Sequence, residues 1–186
     1  MHKSFPHFHF YSTSEAINLY KVLFGSEQNL LVADIFEYMA NMHGRKKKYD
    51  KACVLLETTL NIRINILGMD HAKVAQALFS LGLLFDQIKQ FDAAMKSFAD
   101  CLEIQQITLG PTSIQYAETL AAVGQCFGNQ GDFESALNLW NQVISIYKEQ
   151  GYDSSHPKLL RLEQQHSLAT KLLTKTKTKW DPFRSM

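Results

Sequence analysis

The sequence predicts an all-α fold of antiparallel helix pairs, and three observations carry that prediction. Chemically matched residues recur every 42 positions, apolar residues within each recurrence follow helical spacing, and glycines and polar caps fall at the same places in each. Leu67-Gly68 and Leu109-Gly110 are 42 residues apart, with Phe24-Gly25 43 residues before the first pair and Gln150-Gly151 41 after the second. Four columns hold the same stride: Phe36, Leu78 and Leu120; Ala52, Ala94 and Ala136; Leu56, Phe98 and Trp140; Tyr49, Phe91 and Phe133. A fixed period of this length marks a repeat in which each unit is one supersecondary hairpin.

Within a unit, Leu78, Leu81 and Phe85 lie at i, i+3 and i+7, one face of a helix, and Leu120, Val123 and Phe127 repeat it. Gly82, Gly124 and the equivalent Ala40 are small where a second helix must approach. Ala52, Ala94 and Ala136 supply the matching small surface, with Phe98 and Trp140 beside the contact. Asp70 and Thr112 read as N-caps, with Ser26 and Ser155 within a residue or two of that place. Gly68, Gly110 and Gly151 suit C′ positions, and Pro111 and Pro157 suit helix starts. Helices are expected at about 28–43, 48–66, 71–88, 92–107, 113–129 and 133–149, flanked by a short one at about 13–23 and a capping one at about 156–173. The organisation that follows is a mobile aromatic and histidine arm at 1–12, a repeat domain at 13–174 and a mobile basic tail at 175–186. The units within the repeat domain run about 26–67, 68–109 and 110–151.

The stretches Leu78-x2-Leu81-Gly82-x2-Phe85 with Ala94-x3-Phe98, and Leu120-x2-Val123-Gly124-x2-Phe127 with Ala136-x3-Trp140, resemble the tetratricopeptide repeat. The 42-residue stride and Leu67-Gly68-Met69-Asp70-His71 at the unit boundary are similar to the long repeats of kinesin light chains. The resemblance implies a right-handed superhelix of about three helix pairs whose first helices line a concave face where partner peptides bind. Carried over residue by residue, it implies groove positions Asp34, Glu37, Asn41 and Arg45 in the first unit. In the second these are Gln76, Phe79, Leu83 and Gln87, and in the third Glu118, Ala121, Gln125 and Asn129. A carboxylate clamp is disfavoured, because Asp34 and Glu37 stand where cations are needed. Leu78-Phe79-Ser80-Leu81 also departs from the Leu-Asn-Asn-Leu that kinesin light chains use to hold peptide backbone.

The remaining composition excludes more than it proposes. Nineteen Lys and Arg against eighteen Asp and Glu leave a net charge of +1, which lacks the concentrated basic field of a nucleic-acid or membrane-surface binder. No apolar run approaches the roughly 20 residues that span a bilayer. Cys53, Cys101 and Cys126 form no CxxC and are odd in number, which points to a reducing, cytoplasmic setting and to buried thiols rather than nucleophiles. His7-x-His9 has no nearby Cys or carboxylate to close a metal site, and His71 and His156 read as helix-start residues. Arg45-Lys46-Lys47-Lys48 reads as a solvated turn, and no P-loop, GxGxxG, HExxH or GxSxG is present. The expected function is a non-enzymatic scaffold without cofactor or metal, binding a peptide or helix of a protein partner and no nucleic acid, membrane or small-molecule substrate. Its rivals are a regulatory repeat array of a larger signalling ATPase, and an RNA-binding helical repeat, which would need a basic inner face.

Overpacking tests the register. Ala94→Leu or Ala136→Leu is expected to cost about 1–3 kcal/mol of stability, read as a lowered midpoint of thermal unfolding.

Overall fold

Helical spacing becomes seven helices, and no strand, among the residues that the computed structural model describes, 29–179, with side chains through 175. They are α1 (Leu30–Arg45), α2 (Tyr49–Leu67), α3 (Ala72–Gln87), α4 (Phe91–Thr108), α5 (Ile114–Gln130), α6 (Phe133–Glu149) and α7 (Pro157–Lys179). The arm at 1–12, the helix expected at 13–23, Ser26, His7-x-His9 and residues 180–186 lie outside the described residues. The first six helices start and stop within two residues of the expected bounds. The last runs to Lys179 rather than ending near 173, because lysine is a good helix former and no Gly or Pro interrupts Thr174 to Lys179.

Two of the expected caps sit one residue further on. His71 Nδ1 accepts from the Lys73 N–H at 3.0 Å, and Ser113 Oγ accepts from the Tyr116 N–H at 3.3 Å, so these residues, not Asp70 and Thr112, close α3 and α5. His156 acts like His71, accepting at Nδ1 from the Lys158 N–H at 3.3 Å. Both imidazoles are therefore helix-start groups. Gly68, Gly110 and Gly151 have φ of 84°, 86° and 84°, the left-handed geometry expected where each unit ends. The turn inside each unit also passes through one left-handed residue, at Lys47 (φ 57°), Lys89 (φ 62°) and Gly131 (φ 88°), again 42 apart. Arg45 to Lys48 are all exposed around that turn.

The described residues divide into two compact units at Met69/Asp70. In the first, α1 packs on α2, with Val32, Ala33, Phe36 and Ala40 buried on one helix and Ala52, Leu55, Leu56 and Ile62 on the other. Thr59 Oγ1 donates within its own helix to the Leu55 carbonyl at 2.8 Å and reaches the Ala33 carbonyl of α1 at 3.3 Å. The second unit chains four helix contacts in order, α3 on α4, α4 on α5, α5 on α6 and α6 on α7. Its core joins Ala94, Phe98, Val123 and Cys126 on one side of α5. On the other side it joins Leu120, Ala136, Trp140, Val143, Leu159 and Leu162.

The small-residue columns have the steric cause the sequence implied. A Cβ added at Gly82 would lie 2.5 Å from the Phe98 ring, and one at Gly124 2.5 Å from Trp140 Nε1. Ala52, Ala94 and Ala136 are all fully buried. In the first unit the same place carries Ala40 with Leu56, a larger residue on one helix matched by a smaller one on the other. His43 takes the column that holds Phe85 and Phe127, and its buried Nδ1 has no hydrogen-bond partner. Burial first, then the cations of Lys51, Lys48 and Lys46, hold its pKa below the ordinary 6.5.

Two outcomes follow. Gly124→Ala is expected to cost about 1–3 kcal/mol, and Trp140→Leu is expected to cost less in that background than in the parent, by about 1 kcal/mol in a double-mutant cycle. For His43, the unfolded chain takes up a proton near pH ~6.5 while the folded chain resists it, so folding free energy is lost as pH falls through that value toward the lowered folded pKa. His43→Phe is expected to flatten the fall in stability between about pH 7 and 5, measured by urea unfolding across that range.

Candidate functional site

The residues assigned to a binding face fall on the first helices, but they differ in what they are free to do. In the first unit, Asp34 and Glu37 both accept from Arg63 Nη2 of α2, at 2.8 and 2.7 Å. Glu37 and Arg63 are buried and Asp34 is half-exposed. Both carboxylates thus serve the hairpin's own interior, because a guanidinium 1% exposed needs opposite charge beside it. Asn41 and Arg45 stand exposed on the same helix.

In the second unit the face is partly knitted together by its own amides. Gln165 of α7 donates to Gln125 of α5, Gln125 donates to Asn129 Oδ1 at 2.9 Å, and Asn129 Nδ2 donates to both carboxylate oxygens of Asp86 on α3, at 2.8 and 3.1 Å. Lys158 of α7 pairs with Glu118 of α5, and that hydrogen bond raises the Lys158 pKa. Ala121 contributes its carbonyl, which accepts from Trp140 Nε1 at 3.2 Å. Gln87 is exposed, and Leu83 is 39% exposed.

Between α3, the end of α4 and the start of α5 the surface opens into a cavity of about 350 Å³. Three of the assigned positions meet there, Gln76, Phe79 and Glu118. Phe79 is half-buried and tilted against Phe98 with centroids 6.1 Å apart, so the core holds one side of its ring. The cavity also uses residues outside the assigned set, notably Lys73, Gln105, Leu109, Gln115 and Thr119. Gln105 and Leu109 belong to the second helix of their unit and its C-terminal cap, which a reading confined to first helices misses. A signal for Gln105 did exist: its column holds Arg63, Gln105 and Tyr147, three large polar side chains that are all buried.

The titratable groups near this face favour packing over reaction. Burial pushes the Cys101 and Cys126 thiols up to about 11 and raises Cys53 as well, so each is protonated near neutrality and is a poor nucleophile. Tyr147 rises to about 12 through burial and then the nearby Glu118. Among the described residues no group of three His, Cys, Asp or Glu side chains is placed to hold a metal ion, and no helix is long and apolar enough to cross a membrane.

Comparison with known proteins agrees with the repeat. The sequence profile of the tetratricopeptide repeat matches residues 31–107 and 96–149. A clustered mitochondria protein homolog of Brugia malayi is 27% identical over 98 residues, 53% of this chain and 7% of that protein. The Arabidopsis thaliana protein KINESIN LIGHT CHAIN-RELATED 3 is 25% identical over 117 residues, 62% of this chain and 18% of that one. The chain therefore spans under a fifth of the length of either relative. In fold it is similar to the crystal structure of BtubC (BKLC) from P. vanneervenii, with a TM-score of 0.71 and 21% identity, covering 87% of this chain and 63% of that one.

Proposed function

The chain belongs to the tetratricopeptide repeat family, in its long-repeat, kinesin-light-chain-like form, and we propose that it is a non-enzymatic scaffold holding a segment of a protein partner against its first helices. The observation that carries this reading is the cavity of about 350 Å³ on the second unit, where Gln76, Phe79 and Glu118 converge. A half-buried aromatic ring fixed by Phe98 behind it is a rigid anchor, and little side-chain entropy is lost when a partner covers it. Leu83, one turn further along α3, extends the apolar strip, while Gln76 and Gln87 supply polar groups on the same helix.

Protonated thiols and ionisable groups committed to ion pairs and caps support a binding role over a chemical one. Charge near balance supports a protein partner over nucleic acid or an anionic membrane. Unpaired cysteines support residence in the reducing cytoplasm. Nothing in this reading depends on whether the array stands alone or serves a longer chain.

Affinity capture from cells followed by titration of the identified partner tests it. Gln115→Trp fills the cavity from an exposed position, and Phe79→Ala/Leu83→Ala removes the apolar anchors. Each is expected to weaken binding at least about tenfold, or 1.4 kcal/mol, with helicity by circular dichroism unchanged for Gln115→Trp. Undiminished affinity in both variants would remove the reading.

A further inference from the structure

The last helix carries a second strip of leucines, apart from those that join the core. Leu159, Leu162 and Ala169 of α7 are buried with Ala136, Trp140 and Val143, which accounts for one side of the helix. Leu160, Leu168 and Leu172 are 45%, 59% and 38% exposed and lie at i, i+8 and i+12. Four-residue steps keep to one side of a helix, so the three share an outer surface. An element that closes a stack of hairpins keeps a polar outer face for solubility. α7 packs on α6 in that position yet turns three leucines outward.

Charge says what covers them. α7 holds six Lys or Arg and one carboxylate, Glu163, in a chain whose net charge is +1. Arg161, Lys171 and Lys175 are exposed. Lys171 and Lys175 follow Leu168 by three and seven residues, and Arg161 precedes it by seven, so these cations fall among the leucines. We propose that this face of α7 docks an acidic amphipathic helix of a protein partner. The partner's apolar side chains cover Leu160, Leu168 and Leu172, and its carboxylates lie beside Arg161, Lys171 and Lys175. Leucine contact supplies the affinity, while the charges set orientation and the rate of association. The row from Leu160 to Lys175 runs about 22 Å, roughly four turns of a partner helix. It shares no residue with the cavity on the second unit.

Other occupants fit this face less well. A membrane-surface helix sinks an unbroken apolar face and keeps its cations on the polar one. Here the two are interleaved, so sinking Leu168 would draw Arg161 and Lys171 out of water with it. Nucleic acid would engage the cations and leave the leucines exposed. A second copy answers poorly too. Its exposed acidic helix faces set one aliphatic beside their carboxylates, Val54 with Asp50 and Glu57 on α2, and Ile107 with Asp100 and Glu103 on α4.

The test selects helical peptides, displayed on phage and randomised along one face, on the full chain. Those whose binding is lost in Leu168→Ala/Leu172→Ala are kept. They are expected to carry more Asp and Glu than Lys and Arg, with apolar residues four apart. Measured by fluorescence polarisation, synthetic versions are expected to bind Arg161→Glu/Lys171→Glu at least about tenfold more weakly than the parent. They are also expected to weaken as salt rises and to bind Gln115→Trp as tightly as the parent. Both double variants alter exposed side chains only, and an unchanged midpoint of thermal unfolding shows that each folds normally. Kept peptides that are neutral or basic, or indifferent to the charge reversal, overturn the proposal, as does a selection that leaves none to keep. Sedimentation with phosphatidylserine vesicles that is lost in Leu168→Ala/Leu172→Ala overturns it in favour of a membrane. A concentration-dependent dimer abolished by the same substitutions overturns it in favour of a second copy. In each case the scaffold reading of the cavity stands.

Discussion

The closeness of the two helices in the hairpins of α3 with α4 and α5 with α6 rests on one contact, a residue without a side chain facing an aromatic ring. At Gly82 and Gly124 the second helix approaches until Phe98 and Trp140 occupy the space a methyl group would need. Dispersion between a flat ring and bare backbone is lost quickly with separation, so a gap of even half an ångström forfeits much of the contact. Trp140 adds a hydrogen bond from its Nε1 to the Ala121 carbonyl, which fixes the ring's angle as well as its distance. Once that spacing is set, the alanine columns follow. Ala94 and Ala136 are fully buried because nothing larger fits beside the contact, and Ala33, Ala75 and Ala117 form a further column at 2% exposure or less.

That dependence explains why the fold could be read without coordinates. Sterically forced positions tolerate few residue types, so they survive as columns of Gly, Ala and large apolar residues at a constant stride. The same rule extends to α7, where Leu159 and Leu162 continue the columns of Ala117 and Leu120 and are buried against α5 and α6. His166 stands there in the glycine column, and an imidazole at that place is incompatible with the close approach that Gly82 and Gly124 permit. What escaped the sequence was decided by weaker preferences. Asp is a better N-cap than His by propensity, yet His71 closes α3 because the register of the buried face decides which residue comes first, and at α5 the adjacent Thr112 and Ser113 are both cap formers between which Ser113 is used. The end of α7 was missed for a similar reason, since alternating Thr and Lys give no apolar pattern to count.

The face for a partner was legible only in outline. Position in the repeat identifies which residues sit on first helices, but it does not reveal which of them are already engaged. Asp34 and Glu37 are bound to Arg63, 29 and 26 residues away, and Asn129 reaches Asp86 across 43. These pairings are long-range and chemically ordinary, so no local pattern announces them. Amides are also ambiguous by nature, each able to donate and accept, and the run Gln165, Gln125, Asn129 and Asp86 shows them tying neighbouring helices together. The cavity lies beside that run, between Gln76, Phe79 and the end of α4.

One column therefore does different work in each unit while its geometry stays constant. Arg63, Gln105 and Tyr147 are 1%, 6% and 3% exposed, so burial is common to all three and cannot be what distinguishes them. Arg63 is answered by two carboxylates within its own hairpin, and Tyr147 lies beside Tyr152 at 5.2 Å, which in turn stacks on His156 at 3.8 Å to pin the turn into α7. Gln105 Oε1 accepts from the Thr119 hydroxyl at 2.8 Å, and the residue lines the cavity. Near-identical hairpins thus differ where a column's chemistry changes from unit to unit, here from a cation at Arg63 to an amide at Gln105 to a phenol at Tyr147, while the burial of the column is kept.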